Sequence, residues 1–332
     1  MASASSRRTR GLVVGGGIVV LAAAGVGVWN WAGASDSGTV CSALRGDSRI
    51  KDVLGASYRG DMSCGDLGRA FREAAAGDRP GTHSKEQAQA MRITLEAVGD
   101  ALGKSGKRDV DDSLRMPLAE LMADYVPDTH EILKELDADY VTHLSDGEPW
   151  EDRSGVHMTV PNEALLRVMR SVSASPSAYA VLRNAEGQYA AHTMARIPGT
   201  AKGFDLSTPV VGNALAFGAL DGIASDVTAR LSGQEAENWN KAVVGALSAA
   251  APAKIPDFKA DPAGYVSATW AKGLNGTTKT ESDAFRSQGA EYLSIWAHGR
   301  ADGFKAPGKL TEDCRNGQSR KSEEATAALK DG

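Results

Sequence analysis

The residues best placed to do chemistry in this 332-residue chain share one stretch, VPDTHEILKELDADYVTHLSDGE. Asp128, His130, Glu131, Asp139 and His143 are each able to ligate a metal or move a proton. Their spacing argues against a shared ion. On one continuous helix His130 and His143 stand 13 positions apart, roughly 220° round the axis at 100° per residue, and so face away from each other. Asp139 and His143 are at i and i+4, the spacing of an ordinary surface pair. Just downstream, Glu148, Glu151 and Asp152 flank Trp150. Two carboxylates beside an indole platform form the arrangement with which glycosidases cleave sugars; the same residues also read as a plain acidic loop.

Other catalytic arrangements are missing from the sequence. There is no G-x-S-x-G, no S-x-x-K with its companion motifs and no phosphate-binding glycine loop, since Gly15 to Gly17 lie inside an apolar run. The three cysteines, Cys41, Cys64 and Cys314, have neither C-x-x-C spacing nor an adjacent base. They read as one disulfide and one remaining thiol. Cys41 with Cys64 is the first choice, and Cys314 tying the C-terminal end to either of them is the alternative. The sequence therefore assigns no catalytic, cofactor or metal residue. The acidic and imidazole-bearing set Asp128, His130, Glu131, Asp139, His143, Glu148 and Glu151 stands as the alternative site.

The elements that position these residues begin with an apolar run from Gly11 to Trp31, preceded by Arg7, Arg8 and Arg10. A helix of about 19 residues at 1.5 Å per residue nearly crosses a ~30 Å hydrocarbon layer. The arginines predict a cytoplasmic N-terminus, and Trp29 and Trp31 fall where an indole prefers to leave the acyl region. Residues 1–10 then form a basic cytoplasmic tail, 11–31 a single-pass anchor, 32–39 a stalk, 40–304 a helical extracytoplasmic domain with a soft subdivision near 145–156, and 305–332 a polar tail held at Cys314. Cleavage after Ala34 is the alternative, and it too exports the domain. Gly11 and Gly15 form one G-x-x-x-G, a weak pointer to a homodimer. Ten residues before the span leave a sensor no output domain of its own.

Composition excludes some classes. A net charge of −5 gives no field that attracts nucleic acid. With 42% hydrophobic and 24% charged residues, the chain predicts a packed core. Apolar residues recur at three-to-four spacing along most of the exported part, which predicts an all-α bundle. The expected helices cover residues 40–54, 64–76, 85–102, 113–125, 127–140, 163–171, 176–194, 210–231, 236–251, 262–272 and 281–298. Pro117 is tolerable only in a first turn, and Phe204 to Pro209 reads as a connector. Trp239, Trp270 and Trp296 read as core residues.

Some of these words resemble a helical region of uncharacterised actinobacterial, Streptomyces-like proteins. They are Gly81-Thr82-His83-Ser84 before Gln87-Ala88-Gln89-Ala90-Met91, Leu114-Arg115-Met116-Pro117-Leu118-Ala119, and Asp124-Tyr125-Val126-Pro127-Asp128-Thr129-His130. Glu163 to Tyr189 and Phe217 to Gly222 extend the likeness over about residues 60–250. The resemblance implies an association with WXG-type secretion substrates or polymorphic toxins, and it transfers no catalytic residue. Together these readings predict a membrane-tethered extracytoplasmic protein that binds another envelope or secreted protein. The alternative is a cell-envelope hydrolase acting near Trp150 or through Asp128 to His143.

Overall fold

The computed structural model describes residues 39–77, 81–276, 285–300 and 302–331. The anchor, its flanking Arg7, Arg8, Arg10, Trp29 and Trp31, the Gly11/Gly15 pair and the Ala34 cleavage site lie outside the described residues. Within them the protein is helical apart from one two-stranded hairpin. In chain order the elements are α1 Val40–Gly46, α2 Ser48–Leu54, α3 Cys64–Ala75, α4 Lys85–Ser105, α5 Asp112–Asp124, α6 Val126–Lys134 and α7 Ala138–Asp146. The hairpin follows, β1 Trp150–Glu151 paired antiparallel with β2 Val156–His157. Then come α8 Asn162–Val172, α9 Pro176–Ala195, α10 Phe204–Thr228, α11 Gly233–Ala249, α12 Pro262–Gly273, α13 Gln288–Gly299 and α14 Gly308–Asp331.

Local chemistry sets the helix starts. Ser63 with Asp66, Ser84 with Gln87 and Ser232 with Glu235 form reciprocal capping boxes that satisfy the first free N–H groups of α3, α4 and α11. Ser175 caps α9, with Pro176 in its first turn. Two prolines depart from expectation. Pro117 lies past the first turn of α5 and is tolerated where α3 comes close, since a Cβ at Gly68 would stand 3.0 Å from its ring. The 204–209 stretch is no connector: α10 begins at Phe204 and runs through Pro209. The carbonyl that Pro209 leaves without a partner belongs to exposed Asp205, where water can satisfy it.

The sequence also predicts a bridge near the start of the domain, and it is present. Cys41 and Cys64 form a disulfide, while Cys314 is free and buried. Closing a loop of this size contributes about 3 kcal/mol in the chain-entropy account.

Helix α10 is the hub, packed against α6, α8, α9, α13 and α14. It is 25 residues long and contains an 18-residue window of mean hydropathy 1.2, which would suit a membrane span by length and composition alone, yet 83% of that window is buried inside the protein. One hydrophobic core runs from Val40 to Leu329 and includes Trp239, Trp270 and Trp296.

The largest departure is at the C-terminal end. The polar stretch from Lys305, expected to be a tail held only by Cys314, instead contains α14, which lies alongside α10 over most of its length. The two helices run parallel. Cys314 Sγ is 3.9 Å from the Val210 carbonyl, Gly317 faces Val211 and Leu215, and Gly222 faces Ser322 and Ala325. Contact this close needs small residues. A Cβ at Gly218 would sit 2.3 Å from the Gln318 carbonyl oxygen, and one at Gly222 would sit 2.7 Å from that of Ser322. Gly218 and Gly222 thus form a G-x-x-x-G packing face within the chain.

Candidate functional site

The residues predicted to carry chemistry fall into two groups, because the helix expected across 127–140 breaks. Helix α6 ends at Glu135, a non-glycine residue in the left-handed region at φ 54°, and α7 starts afresh after Asp137, whose side chain caps it. His130 therefore turns into the interior. Its Nδ1 lies 2.6 Å from Glu186 Oε1, with both side chains only 3% exposed, and its ring meets Tyr189 edge-on. Asp128 and His130 are both buried. Glu131 pairs with Lys134 at 2.5 Å. The expected Asp139–His143 pair does not form, and His143 Nδ1 instead stands 3.6 Å from Asp146.

The second group gathers where the hairpin meets α6 and α7. Asp128, in the first turn of α6 where the helix dipole favours an anion, accepts from the Tyr140 hydroxyl at 2.6 Å and from His157 Nδ1 at 2.9 Å. On the other side of the ring, His157 Nε2 reaches Asp152 Oδ1 at 3.1 Å and Ser154 Oγ at 2.9 Å. Trp150 stacks on His143 with ring centroids 4.3 Å apart and meets Tyr140 edge-on. Glu148 and Glu151 face solvent. Trp150 is thus half-buried packing for the hairpin, with its indole face occupied by His143 and not open as a sugar platform.

Ser154, His157 and Asp128 follow the order of a nucleophile, base and orienting acid. Their hydrogen bonds do not follow that logic. The Ser154 hydroxyl donates to Asp152 Oδ1 at 2.6 Å, and the Ser154 and Gly155 N–H groups, which could have bound an oxyanion, donate to the same carboxylate oxygen. His157 lies between two carboxylates. The hydrogen bond to Asp128 raises its pKa above the ordinary 6.5, burial opposes this, and Asp152 adds to the rise. The bonds from Ser154 hold Asp152 low in turn, with His157 contributing less. With the Ser154 hydroxyl and both neighbouring N–H groups donated to Asp152, and His157 held between Asp152 and Asp128, this cluster clamps the hairpin onto α6 and α7.

The clamp has a pH signature. The folded pKa of His157 lies above its unfolded value, so its contribution to stability is complete below about pH 6.5 and is lost as pH rises through the folded pKa. Urea denaturation as a function of pH should show stability falling over that window, and His157→Gln should remove this component. An unchanged profile in the variant would contradict the clamp.

His157, Ser154 and Glu186 were not anticipated as site residues. A two-residue strand has no period to read, and Glu186 is brought to His130 only by tertiary packing. The only group of three metal-capable side chains close enough to share an ion, among the described residues, is Cys41, Cys64 and Asp111. Its two sulfurs are bonded to each other, and Asp111 accepts from the Cys41 N–H.

No family model, curated protein or solved structure matches the chain. Function is therefore read from the residues themselves. The outer side of α7 bears on it directly. Only Tyr140 of this helix is buried, and α7 packs extensively against no other described element. On α7, Val141 and Leu144 are 65% and 41% exposed, and Leu136, in the link before the helix, is 55% exposed. Leu144 also walls an open cavity of about 370 Å³ at the junction of α7, α8 and α14.

Proposed function

We propose that the chain is a membrane-tethered extracytoplasmic helical protein that works by binding another envelope or secreted protein, with its N-terminus cytoplasmic. The observation that carries this reading is α7, a helix held on its inner side by ring contacts and presenting large apolar side chains to solvent. Exposed apolar groups gathered on one face are a usual mark of an interaction site. The Cys41–Cys64 disulfide supports export, since such bonds persist in oxidising compartments.

A hydrolase is the second reading, favoured by the alignment of Ser154, His157 and Asp128 and opposed by their hydrogen bonding. Capture from detergent-solubilised membranes under non-reducing conditions tests the binding reading. The protein should fractionate with membranes and retain a stoichiometric envelope protein. Recovery of the intact domain in culture fluid, starting near Ser35, would overturn the tether. Labelling of Ser154 by a fluorophosphonate would overturn the assignment of binding without chemistry.

A further inference from the structure

We infer that the outer face of α7, with the cavity beside it, docks a basic amphipathic helix of a partner protein; this rests on the binding reading above and specifies the partner's chemistry. Charge is the first argument. Residues 135–163 hold eight acidic residues and one arginine, while the whole chain has a net charge of only −5. The acids Asp139, Asp146, Glu148, Glu151 and Asp152 are all exposed around the apolar side chains of α7. An apolar strip ringed by one sign of charge selects an amphipathic segment of the opposite sign.

The cavity adds a specific feature. Leu144 and Leu166 line it together with Glu135, Glu163, Glu324 and Lys321. Lys321 is buried and already paired with Glu135 and Glu324, so its charge is committed within the protein. The lining therefore carries an excess of negative charge beside an apolar wall. A lysine or arginine side chain suits that combination, with its aliphatic stem on Leu144 and Leu166 and its cationic head among the carboxylates. On a helix, a leucine three or four positions from such a residue shares its face and would cover Val141. Other occupants meet unfavourable charge. An anionic bilayer is repelled by the acids, and a second copy docking by the same face would bring like charges together.

The test uses a fluorescein-labelled 18-residue helix of leucine and lysine with leucines at i, i+3, i+4 and i+7, and a scramble of the same composition. In fluorescence anisotropy the amphipathic peptide should bind at least about tenfold more tightly than the scramble and weaken as salt rises. Val141→Ser/Leu144→Ser, at two exposed positions whose loss leaves the core intact, should weaken binding about tenfold while the thermal melt stays unchanged. Equal affinity for the scramble, or undiminished binding by the double variant, overturns the proposal. So does association of the chain with itself in sedimentation, or binding to vesicles containing 30% phosphatidylserine, if the double variant abolishes it. Capture of an envelope protein that the peptide does not displace overturns this surface and leaves the binding reading standing. Absence of any captured protein overturns both.

Discussion

Arg183→Met should lower the unfolding free energy by about 3–5 kcal/mol, the cost of stranding one partner of a buried ion pair. Arg183 is fully buried, and each of its three side-chain nitrogens donates a hydrogen bond. Nη1 donates to Asp221 Oδ1 at 2.6 Å and to the Tyr179 hydroxyl at 2.8 Å, Nε to Gln288 Oε1 at 2.9 Å, and Nη2 to the Phe285 carbonyl at 3.0 Å. The second Asp221 oxygen accepts from Gln318 Nε2 at 2.7 Å. One guanidinium and one carboxylate thereby connect α9, α10, α13 and α14. Removing the arginine leaves Asp221 charged, buried and served by a single amide. Removing both charges is a different experiment. Arg183→Met/Asp221→Leu should cost less than Arg183→Met alone, because a buried pair replaced by apolar groups carries no orphaned charge. Urea denaturation of the three proteins measures both effects. A single variant as stable as wild type, or a double variant less stable than Arg183→Met alone, would contradict this description of the network.

Gly218→Ala should destabilise the fold, although alanine is the better helix former. In an exposed helix interior this change stabilises by up to about 1 kcal/mol. At Gly218 the new Cβ would meet the Gln318 carbonyl oxygen at 2.3 Å. Backbone cannot rotate away as a side chain can, so α14 must separate from α10, at a cost of roughly 1–3 kcal/mol. Gly245 in α11, with nothing within 4 Å of its added Cβ, is the control, and Gly245→Ala should be neutral or stabilising. The opposite signs of the two substitutions are the result that matters. Thermal melts showing both variants stabilised would mean that α14 does not pack as closely as described.

These two experiments also mark where the sequence stops being informative. Helices with apolar stripes are legible from spacing: in α4, Ala88, Met91, Leu95 and Val98 are all buried as their period predicts. Ser84 and Ser175 announce helix starts because a capping side chain acts within its own turn. Helix α14 is not legible in this way. Its buried face is Leu310, Cys314, Gln318, Lys321, Ala325 and Leu329, where small and polar residues replace the expected stripe. Its partner is a glycine ridge on α10. Such contact depends on the absence of side chains, which no hydrophobic pattern records.

The site was legible in composition and not in geometry. The stretch from Asp128 to Trp150 is visibly rich in groups that could react. Its arrangement depends on a helix break at Glu135, where neither glycine nor proline marks the chain. That break turns His130 inward to Glu186 and frees α7 to hold Trp150 on one side while presenting Val141 and Leu144 on the other. Asp128 finds its partners in Tyr140 and in His157, the latter from a strand too short to predict. Groups chosen for their chemistry thus act as fasteners, and the feature that points to function is a short apolar face.

Capture from solubilised membranes, run with wild type beside Val141→Ser/Leu144→Ser, tests that conclusion most directly. Wild type should retain a stoichiometric envelope protein, and the double variant, equally folded, should lose it. Equal retention by both proteins, or retention by neither, would contradict it.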